Sequence, residues 1–333
     1  TMDASYTESV WCVFKTLHEK GLVHQGFKSM QLCPRCETTL SNFEVNQGYK
    51  DITDISVFVT FPLVDQPETA LIAWTTTPWT LPGNVALAVG ADIVYVQIML
   101  EGKMYIMAKE RVAQVVKDKT YTVEKEFTGK DLVGKKYVPI FDYYAKDAAL
   151  ANRENGWKIV AGDFVTTTDG SGIVHIAPAF GEDDYELSKR EKLPFVQHVT
   201  TGGLFKKEVT DFAGQPVKPM EDPTQTKSDG QVHQKADIEI IKNLAHSGRL
   251  FGKEKIIHSY PHCWRCETPL LNYASSSWFV NVPKIKDRLV AENKKIGWTP
   301  EFVGEGRFGN WLSGAREWAI SRSRYWGAPL PAA

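Results

Sequence analysis

The stretch Leu71-Ile-Ala-Trp-Thr-Thr-Thr-Pro-Trp-Thr-Leu-Pro-Gly-Asn-Val-Ala-Leu-Ala-Val89 carries the clearest structural signal in the sequence. Its two apolar ends, 71–74 and 85–89, have the length and composition of β-strands. Between them, Pro78 and Pro82 lack the N–H that strand pairing requires, so the threonine-rich middle is predicted to leave the sheet as a loop. Such a loop can direct hydroxyl groups at a ligand. A plain solvated turn is the competing interpretation, and composition alone favours it.

Short β-rich segments on both sides of this stretch have the same character. Pro and Gly turns separate them, which is typical of a strongly curved sheet or barrel. We therefore predict a mixed α/β (α+β) fold, with a β-barrel-like domain and peripheral helices. Further strands are predicted at about 57–61, 93–100, 103–108, 121–127, 158–161 and 173–176. Helices are predicted over 5–20, 109–117 and 236–246 and from about Glu182, and a long polar loop over 205–232.

The bulk composition excludes several classes of protein. The chain has 333 residues, of which 43% are hydrophobic and 24% charged, as in ordinary globular proteins. A net charge of -1 argues against a general polyanion binder. Apolar runs are too short for a membrane span, and no signal peptide is recognisable, so no membrane partner is expected. Both ends are interpreted as cuts through a larger protein.

Local basic runs are the remaining candidates for nucleic-acid contact, although such runs are more often simply solvated surface. The first consists of Lys284, Lys286, Arg288, Lys294 and Lys295. The second consists of Arg316, Arg322 and Arg324.

Two C-x-x-C pairs, Cys33/Cys36 and Cys263/Cys266, predict a structural zinc site. Four thiolates form the closed tetrahedron that structural zinc prefers, and the wide spacing would tie two arms of the chain together. Two unrelated reduced pairs are the alternative, and His262 is a possible substitute ligand. An odd total of five cysteines without a secretory signal indicates a reducing compartment, and hence a cytoplasmic protein.

A second polar segment runs Asp169-Gly-Ser-Gly-Ile-Val-His-Ile-Ala-Pro-Ala-Phe-Gly-Glu-Asp-Asp-Tyr185. Its glycines permit a close approach of a ligand. His175 lies in a predicted strand and Asp184 in the first turn of a predicted helix, where a negative charge suits the helix dipole. A strand histidine is more often a packing residue, and acidic residues at a helix start are usually caps. No G-x-S-x-G elbow supports a nucleophilic triad.

These motifs resemble those of the isoleucyl-tRNA synthetase editing domain. The stretch Trp74–Asn84 resembles its threonine-rich peptide, and Gly172–Tyr185 resembles its second signature. Segments 258–266, 273–279 and 318–327 are also similar to that family. Valyl and leucyl relatives typically carry an arginine after two threonines, where this chain has Thr77. The ATP-handling signatures of the HIGH and KMSKS type do not occur here.

The resemblance implies a domain organisation and an activity. Residues 1–48 would be an N-terminal flank with the first cysteine pair, 49–252 the editing domain, and 253–333 a C-terminal flank with the second pair. The expected reaction is hydrolysis of the ester in valine-charged isoleucine tRNA by a monomer. The parent enzyme would join isoleucine to tRNA with ATP and Mg²⁺, which this fragment could not do. Hydrolysis would need no cofactor beyond a structural Zn²⁺.

The resemblance also implies roles for individual residues. Asp184 would bind the substrate's α-ammonium, and His175 would form a wall that rejects isoleucine. A second site is needed because one methylene in an apolar pocket is worth only about 1–3 kcal/mol, a limit for which isoleucyl-tRNA synthetases are a standard example. Thr75, Thr76 and Thr77 would bind the ribose, the ester and the attacking water. Further substrate-binding residues would be Trp79, Thr80, Asn84, Gly172 and Ala177.

Two other functions remain open at this point. One is the editing domain of a valyl or leucyl synthetase. The other is a non-catalytic, zinc-stapled RNA-binding module. Hydrolysis of valine-charged tRNA by the purified chain would separate an enzyme from such a module.

Overall fold

The computed structural model describes residues 3–219, 235–321 and 327–331, and it divides the chain into two compact units. The larger unit is Ser29–Ala274, and the smaller joins Thr1–Lys28 to Ser275–Ala333. These units do not follow the predicted boundaries, because the larger one takes in both cysteine pairs. The division into 1–48, 49–252 and 253–333 stays a prediction about the parent protein.

The regular elements are mostly strands, with α-helices between some of them. The strands are β1 (Val23–Cys33), β2 (Thr38–Leu40), β3 (Tyr49–Pro62), β4 (Thr69–Thr75), β5 (Ala86–Val89), β6 (Val94–Leu100), β7 (Lys103–Ala108), β8 (Tyr121–Thr128), β9 (Lys158–Ala161), β10 (Ile173–Ile176), β11 (Leu250–Pro261), β12 (Leu271–Val280) and β13 (Trp318–Ala319). The helices are α1 (Ala4–Glu19), α2 (Asn42–Val45), α3 (Val112–Val116), α4 (Glu182–Glu191), α5 (Lys235–His246), α6 (Lys286–Asn293) and α7 (Gly309–Ser313). The mixed α/β class predicted from the sequence is confirmed.

Most of the predicted elements lie where the hydrophobic pattern places them. Strands β3 to β10 and helices α1, α4 and α5 match their predictions to within a few residues at each end, apart from the longer β3. The helix predicted over 109–117 is instead a 3₁₀ turn, Lys109–Arg111, followed by the short α3.

The main sheet of the larger unit has nine strands and divides at β4. One edge of β4 pairs antiparallel with β3 along Ala70–Thr75, and β3 pairs onward with β11. The other edge of β4 is shared: Thr69–Leu71 pairs parallel with β7, whereas Trp74 pairs parallel with β10. From β7 the sheet continues to β6 and β8, and from β10 to β5 and β9. The sheet therefore splits into two arms just where the threonine stretch begins.

Alternation along the strands builds the core of the larger unit. Val57, Val59 and Phe61 on β3 and Leu71 and Ala73 on β4 are buried in one continuous cluster. Successive side chains on a strand point to opposite faces, so this period-two pattern buries one face of each strand. The threonine stretch is thus anchored to well-packed strands.

The long polar loop predicted over 205–232 is only partly a loop. Up to residue 219 the segment is rich in turns, yet Phe205, Val209, Phe212 and Val217 are buried in the main core. Spaced apolar side chains among polar neighbours are enough to pack a turn-rich segment onto the sheet. Residues 220–232 lie outside the described part of the chain.

The smaller unit contains α1, α6, α7 and β13. Asp3 caps α1 by accepting a hydrogen bond from the Ser5 N–H at 3.0 Å. Phe14 on α1 packs edge-on against Trp278, with ring centroids 6.2 Å apart. Among the described residues of the whole chain, every helix is too short or too polar to cross a membrane.

Candidate functional site

The threonine stretch folds its hydroxyl groups into a continuous line. β4 ends at Thr75, and a 3₁₀ helix, Pro78–Gly83, follows just beyond it. Thr77 Oγ1 lies 3.3 Å from Thr75 Oγ1 and 3.3 Å from Thr80 Oγ1. Thr76 is partly exposed. The prolines bend this stretch out of the sheet, as predicted, and the resulting loop brings three hydroxyls together.

Strand pairing places His175 beside this loop. Val174 on β10 pairs parallel with Trp74, and His175 pairs antiparallel with Leu87 on β5. The imidazole is 7% exposed, and its Nε2 lies 2.9 Å from Thr80 Oγ1. Burial lowers the pKa of His175 to about 4. The ring is therefore neutral at physiological pH.

The hydrogen bonds around Thr80 select one tautomer of His175. Thr80 has a single hydroxyl proton, and its Oγ1 donates it to the Thr77 carbonyl at 2.8 Å. The contact with His175 is satisfied only if the imidazole Nε2 carries the other proton. Nδ1 is then an acceptor, and it is buried without a hydrogen-bond partner among the described residues.

Asp184 is tied to the end of the same strand. It lies in the first turn of α4, and its Oδ2 accepts a hydrogen bond from the Ala177 N–H at 2.9 Å. Burial raises the pKa of this carboxyl to about 7; the Ala177 bond opposes the rise and Asp183 adds to it. A Cβ on Gly181 would lie 2.8 Å from the Asp184 Cγ, so only glycine fits there without a shift. His175, the threonine hydroxyls and Asp184 are thus linked through one strand and its hydrogen bonds.

Trp79 and Asn84 have places in the core. The Trp79 ring is 2% exposed and packs edge-on against Phe180, with centroids 5.2 Å apart. The Asn84 side chain donates to the Ala86 carbonyl at 2.9 Å and accepts from the Tyr137 hydroxyl at 2.7 Å. Asn84 therefore fixes the end of the 3₁₀ helix. The substrate contacts predicted for both residues stay predictions.

Gly172 and Ala177 also have clear packing roles. Gly172 has a φ of +75°, and a Cβ there would lie 2.4 Å from the Ala108 Cβ. Its carbonyl accepts a hydrogen bond from the Tyr95 hydroxyl at 2.7 Å. Ala177 is buried and binds Asp184 through its N–H. Close packing against β7 is a sufficient reason for a glycine at position 172, whether or not a ligand binds there. The binding role predicted for Gly172 stays a prediction.

Two residues near the loop carry no signal in the sequence. His198 is fully buried between Phe180 and Phe205, and its Nε2 lies 2.9 Å from the Trp79 carbonyl. Burial lowers the pKa of His198 to about 3, so this ring is neutral as well. Asp237 Oδ1 accepts a hydrogen bond from the Trp79 N–H at 2.9 Å. Neither residue belongs to a motif, and sequence patterns do not reveal contacts between such distant positions.

The four paired cysteines form a candidate metal centre in the larger unit. Their Sγ atoms lie within 4.8 Å of one another: Cys33, Cys36, Cys263 and Cys266. Cys266 Sγ is 3.5 Å from Cys33 Sγ and 3.7 Å from Cys36 Sγ, close to the edge of about 3.8 Å expected for four sulfurs around zinc. His262 lies outside this cluster, and its Nδ1 is 3.0 Å from the Tyr260 carbonyl. The donor set and its geometry fit a closed, structural metal site.

The basic runs lie in the smaller unit. In the first run, Lys284, Arg288, Lys294 and Lys295 are exposed and Lys286 is partly exposed. Lys295 pairs with Glu292 at 3.0 Å. In the second run, Arg316 is exposed, whereas Arg322 and Arg324 lie outside the described residues. RNA contact by either run stays a prediction.

Comparison with known proteins gives end-to-end matches. The family described as tRNA synthetases class I (I, L, M and V) matches residues 1–333. The chain is 46% identical over 335 residues to the isoleucine–tRNA ligase of Bdellovibrio bacteriovorus, covering 99% of this chain and 30% of that protein. It is 44% identical over 342 residues to the probable cytoplasmic isoleucine–tRNA ligase of Dictyostelium discoideum, again covering 99% and 30%.

A solved structure is similar over a smaller part. The P. knowlesi cytosolic leucyl-tRNA synthetase editing domain covers 44% of this chain and 66% of that chain, at 13% identity and a TM-score of 0.33. The chain spans about three-tenths of the length of the curated relatives it matches. Because the family match runs from end to end and the relatives are 44–46% identical, the chain belongs to the class I tRNA synthetases of the I, L, M and V group.

Proposed function

We propose that this chain is the editing module of an isoleucine–tRNA ligase and hydrolyses the ester that joins valine to the isoleucine tRNA. One observation carries the proposal: the 2.9 Å contact between Thr80 and His175 joins the threonine loop to the strand whose end is bonded to Asp184. The threonine hydroxyls, the neutral ring and the carboxylate are therefore connected through one strand and its hydrogen bonds, which supports a common site. Membership of the synthetase family, with isoleucine–tRNA ligases among the relatives, gives the substrate class.

Asp184 is the residue that would hold the amino acid. Its Oδ2 is engaged by the Ala177 N–H, which leaves the remaining lone pairs of the carboxylate for the substrate's α-ammonium. A charge-assisted hydrogen bond of this kind is short and directional. The residue is partly exposed, so an ammonium group can reach it. Binding at this point fixes which way the amino-acid side chain points.

His175 would act as a rigid wall for the side chain of the amino acid. Its Nε2 is held by Thr80, and its neighbours on β10 are fixed by pairing on both sides. A buried neutral ring held in this way cannot move aside without losing a hydrogen bond. It would therefore accept valine and collide with the additional methylene of isoleucine.

The hydrolytic step would depend on a positioned water. With a pKa of about 4, His175 is a weak base at neutral pH, so we assign it no proton abstraction. The hydroxyls of Thr75, Thr76 and Thr77 would orient the water and the ester, and the free ribose hydroxyl of the tRNA would assist. Orientation alone can contribute much of a rate enhancement.

The four-cysteine centre would hold a structural Zn²⁺, which supports the fold and takes no part in the reaction. Amino-acid activation with ATP and Mg²⁺ would belong to the parent enzyme. We further expect a cytoplasmic, monomeric protein whose partner is valine-charged isoleucine tRNA.

The decisive experiment measures the release of radiolabelled valine from misacylated isoleucine tRNA by the purified chain. We expect hydrolysis of the valine ester and little hydrolysis of the isoleucine ester. Asp184→Ala should abolish the reaction, because the ammonium loses its partner. The matched control is Asp183→Ala on the same helix turn, which should remain active.

The outcome separates the competing functions. Release of valine that does not depend on Asp184 would argue for a different site. Tight tRNA binding without any hydrolysis would instead identify a non-catalytic RNA-binding module. Preferred hydrolysis of threonine esters on valine tRNA, or of isoleucine esters on leucine tRNA, would point to a valyl or leucyl enzyme.

A further inference from the structure

A buried cluster of charges lies beneath the threonine loop and has no part in the mechanism above. Lys218 Nζ is 3.6 Å from Asp54 Oδ2 and 3.7 Å from Asp237 Oδ2. The lysine side chain is 2% exposed and both aspartate side chains are 0% exposed. His258 Nε2 lies 3.0 Å from Asp54 Oδ2, and the Tyr260 ring faces the ammonium at 5.2 Å. All five residues belong to the larger unit.

Such a cluster needs an explanation, because buried ion pairs seldom stabilise a fold. Removing each charge from water costs several kcal/mol, and apolar side chains of similar volume are often as stable or more stable. Moreover, Lys218 Nζ, Asp54 Oδ1 and Asp237 Oδ2 have no hydrogen-bond partner among the described residues. Stability alone therefore does not explain the cluster. A hydrogen bond that one of its carboxylates makes to a residue outside the cluster indicates a second role.

That contact is the hydrogen bond from the Trp79 N–H to Asp237 Oδ1, at 2.9 Å. Trp79 is the second residue of the 3₁₀ helix Pro78–Gly83, whose first N–H groups have no partner within the helix. The residue that normally caps such a helix, Thr77, makes no side-chain cap bond. Pro78 has no N–H. Asp237 on α5 thus caps this helix from a distant part of the chain.

Both backbone polar groups of Trp79 are held by side chains from other parts of the larger unit. Its N–H is bound by Asp237, and its carbonyl lies 2.9 Å from His198 Nε2. It stands between Thr77 and Thr80, the two residues that continue the line of hydroxyls to His175. A shift of Trp79 would therefore move both hydroxyls relative to the imidazole.

Lys218 is what keeps the capping carboxylate charged. Burial raises the pKa of Asp237 to about 6, and the nearby lysine opposes that rise. An ionised acceptor binds an N–H about twice as strongly as a neutral one. The lysine thus strengthens the contact with Trp79 without touching the loop itself.

We propose that Asp237, paired with Lys218, is a positioning residue that holds the threonine loop in its hydrolytic arrangement. This inference rests on the proposed editing function. Asp237 acts through the Trp79 peptide and touches no reacting atom. Displacements of about 1 Å in a site that works by orientation can lower a rate by about 100-fold.

The first measurement tests the hydrogen bond between the Trp79 N–H and Asp237 directly and needs no substrate. Hydrogen exchange of the Trp79 amide is followed by NMR in the full chain and in Asp237→Ala. We expect exchange at Trp79 to accelerate by about 10- to 100-fold, as for a lost hydrogen bond to a charged group. Amides in the middle of β4 should keep their rates. Glu239→Ala, on the same helix and paired with Lys235 at 3.9 Å, is the matched control and should change neither rate.

The second measurement is the deacylation of valine-charged tRNA. In Asp237→Ala we expect kcat to fall at least about tenfold while KM changes less than about twofold, because orientation is lost and binding is not. Asp237→Asn should recover both readouts in part, since its neutral amide oxygen can accept the same N–H but binds it about half as strongly as the carboxylate does. Asp237→Ser, which is too short to reach Trp79, replaces the alanine variant if that one does not fold.

The results discriminate between the two proposals. Unchanged exchange at Trp79 overturns the inference, and so does faster exchange without a lower kcat or a lower kcat without faster exchange. If the unaltered chain hydrolyses no ester, the editing function fails, and the exchange data alone then show whether Asp237 fixes the loop. A uniform increase of exchange throughout β4 would indicate general destabilisation and also contradict positioning.

Discussion

At the scale of single residues, the candidate site contains two titratable groups, His175 and Asp184, whose pKa values are shifted in opposite directions. Burial favours the uncharged form of each, so it lowers the pKa of His175 to about 4 and raises that of Asp184 to about 7. The histidine is thereby removed from acid–base chemistry at neutral pH. The aspartate is instead left near its midpoint, where a cation brought close to it would favour the carboxylate form.

The raised pKa of Asp184 predicts the pH dependence of the reaction. Only the carboxylate pairs with an ammonium, so kcat/KM for valine-charged tRNA should rise with pH between about 5.5 and about 7, the range in which the α-ammonium stays protonated. His175 titrates far below this range and should not contribute. Rates are measured between about pH 5.5 and about pH 7.5, with spontaneous ester hydrolysis subtracted. Asp184→Asn should be slow at every pH, and a flat profile in the unaltered chain would contradict the assignment.

The wall proposed at His175 predicts that replacing this residue changes the specificity of deacylation. His175→Ala should admit isoleucine, so the ratio of isoleucine to valine release should rise about 10- to 200-fold, the range that one methylene can command. The control is Val174→Ala, which shortens the adjacent side chain on the opposite face of β10. The two esters are compared in parallel deacylation assays. A preserved preference for valine in the histidine variant would eliminate the wall.

At the scale of elements, the parallel pairing of β10 with β4 decides the geometry of the site. The sequence predicts both strands, but their pairing brings together residues from the two polar segments. This pairing also requires Gly172 at the start of β10, because its positive φ and its contact with Ala108 leave no room for a side chain. The glycine is thus explained by strand packing.

That explanation predicts the effect of a methyl group at Gly172. Gly172→Ala should lower the free energy of unfolding by about 2–5 kcal/mol, combining a strained φ with overpacking. Gly102→Ala is the matched control: its φ is +77°, but nothing lies within 4 Å of the added Cβ, so it should cost only about 1–2 kcal/mol. Urea unfolding followed by tryptophan fluorescence measures both. Equal losses would contradict the packing role.

At the scale of the whole molecule, the cysteine cluster connects segments far apart in the chain. Cys33 and Cys36 lie at the end of β1 and in the turn that follows, and Cys263 and Cys266 follow β11. A metal bound by these four cysteines would link the two ends of the segment Ser29–Ala274, as a disulfide links the two ends of a loop. Its contribution would therefore be to folding stability.

If the four cysteines bind zinc, replacing one of them should lower both the zinc content and the unfolding temperature. Purified protein should contain about one zinc per chain, and Cys33→Ser should lose most of it and unfold at a lower temperature. Cys12→Ser, which changes the exposed fifth cysteine, should keep both zinc and Tm. Metal content is measured by elemental analysis and Tm by calorimetry. Full zinc retention in Cys33→Ser would contradict the assignment.

Sequence patterns by themselves determined the strands, the departure of the threonine stretch from the sheet at Pro78, and the two C-x-x-C pairs, whereas the meeting of the two pairs is seen only in the structure. These features follow from local rules: the alternation of apolar residues, the missing N–H of proline, and the short C-x-x-C spacing. They can be predicted from the sequence because each depends on residues close together in the chain. The family resemblance then supplied candidate roles for Asp184 and His175.

Only the tertiary structure decided which side chains meet. Thr80 and His175 are 95 positions apart, Trp79 and His198 are 119 apart, and Trp79 and Asp237 are 158 apart. No local pattern encodes such contacts, because they depend on strand pairing and on how the core excludes water. Packing likewise buries the Trp79 ring against Phe180, which no local pattern around Trp79 predicts. The physical reason is that burial is a property of the assembled fold, whereas strand and turn preferences belong to the chain itself.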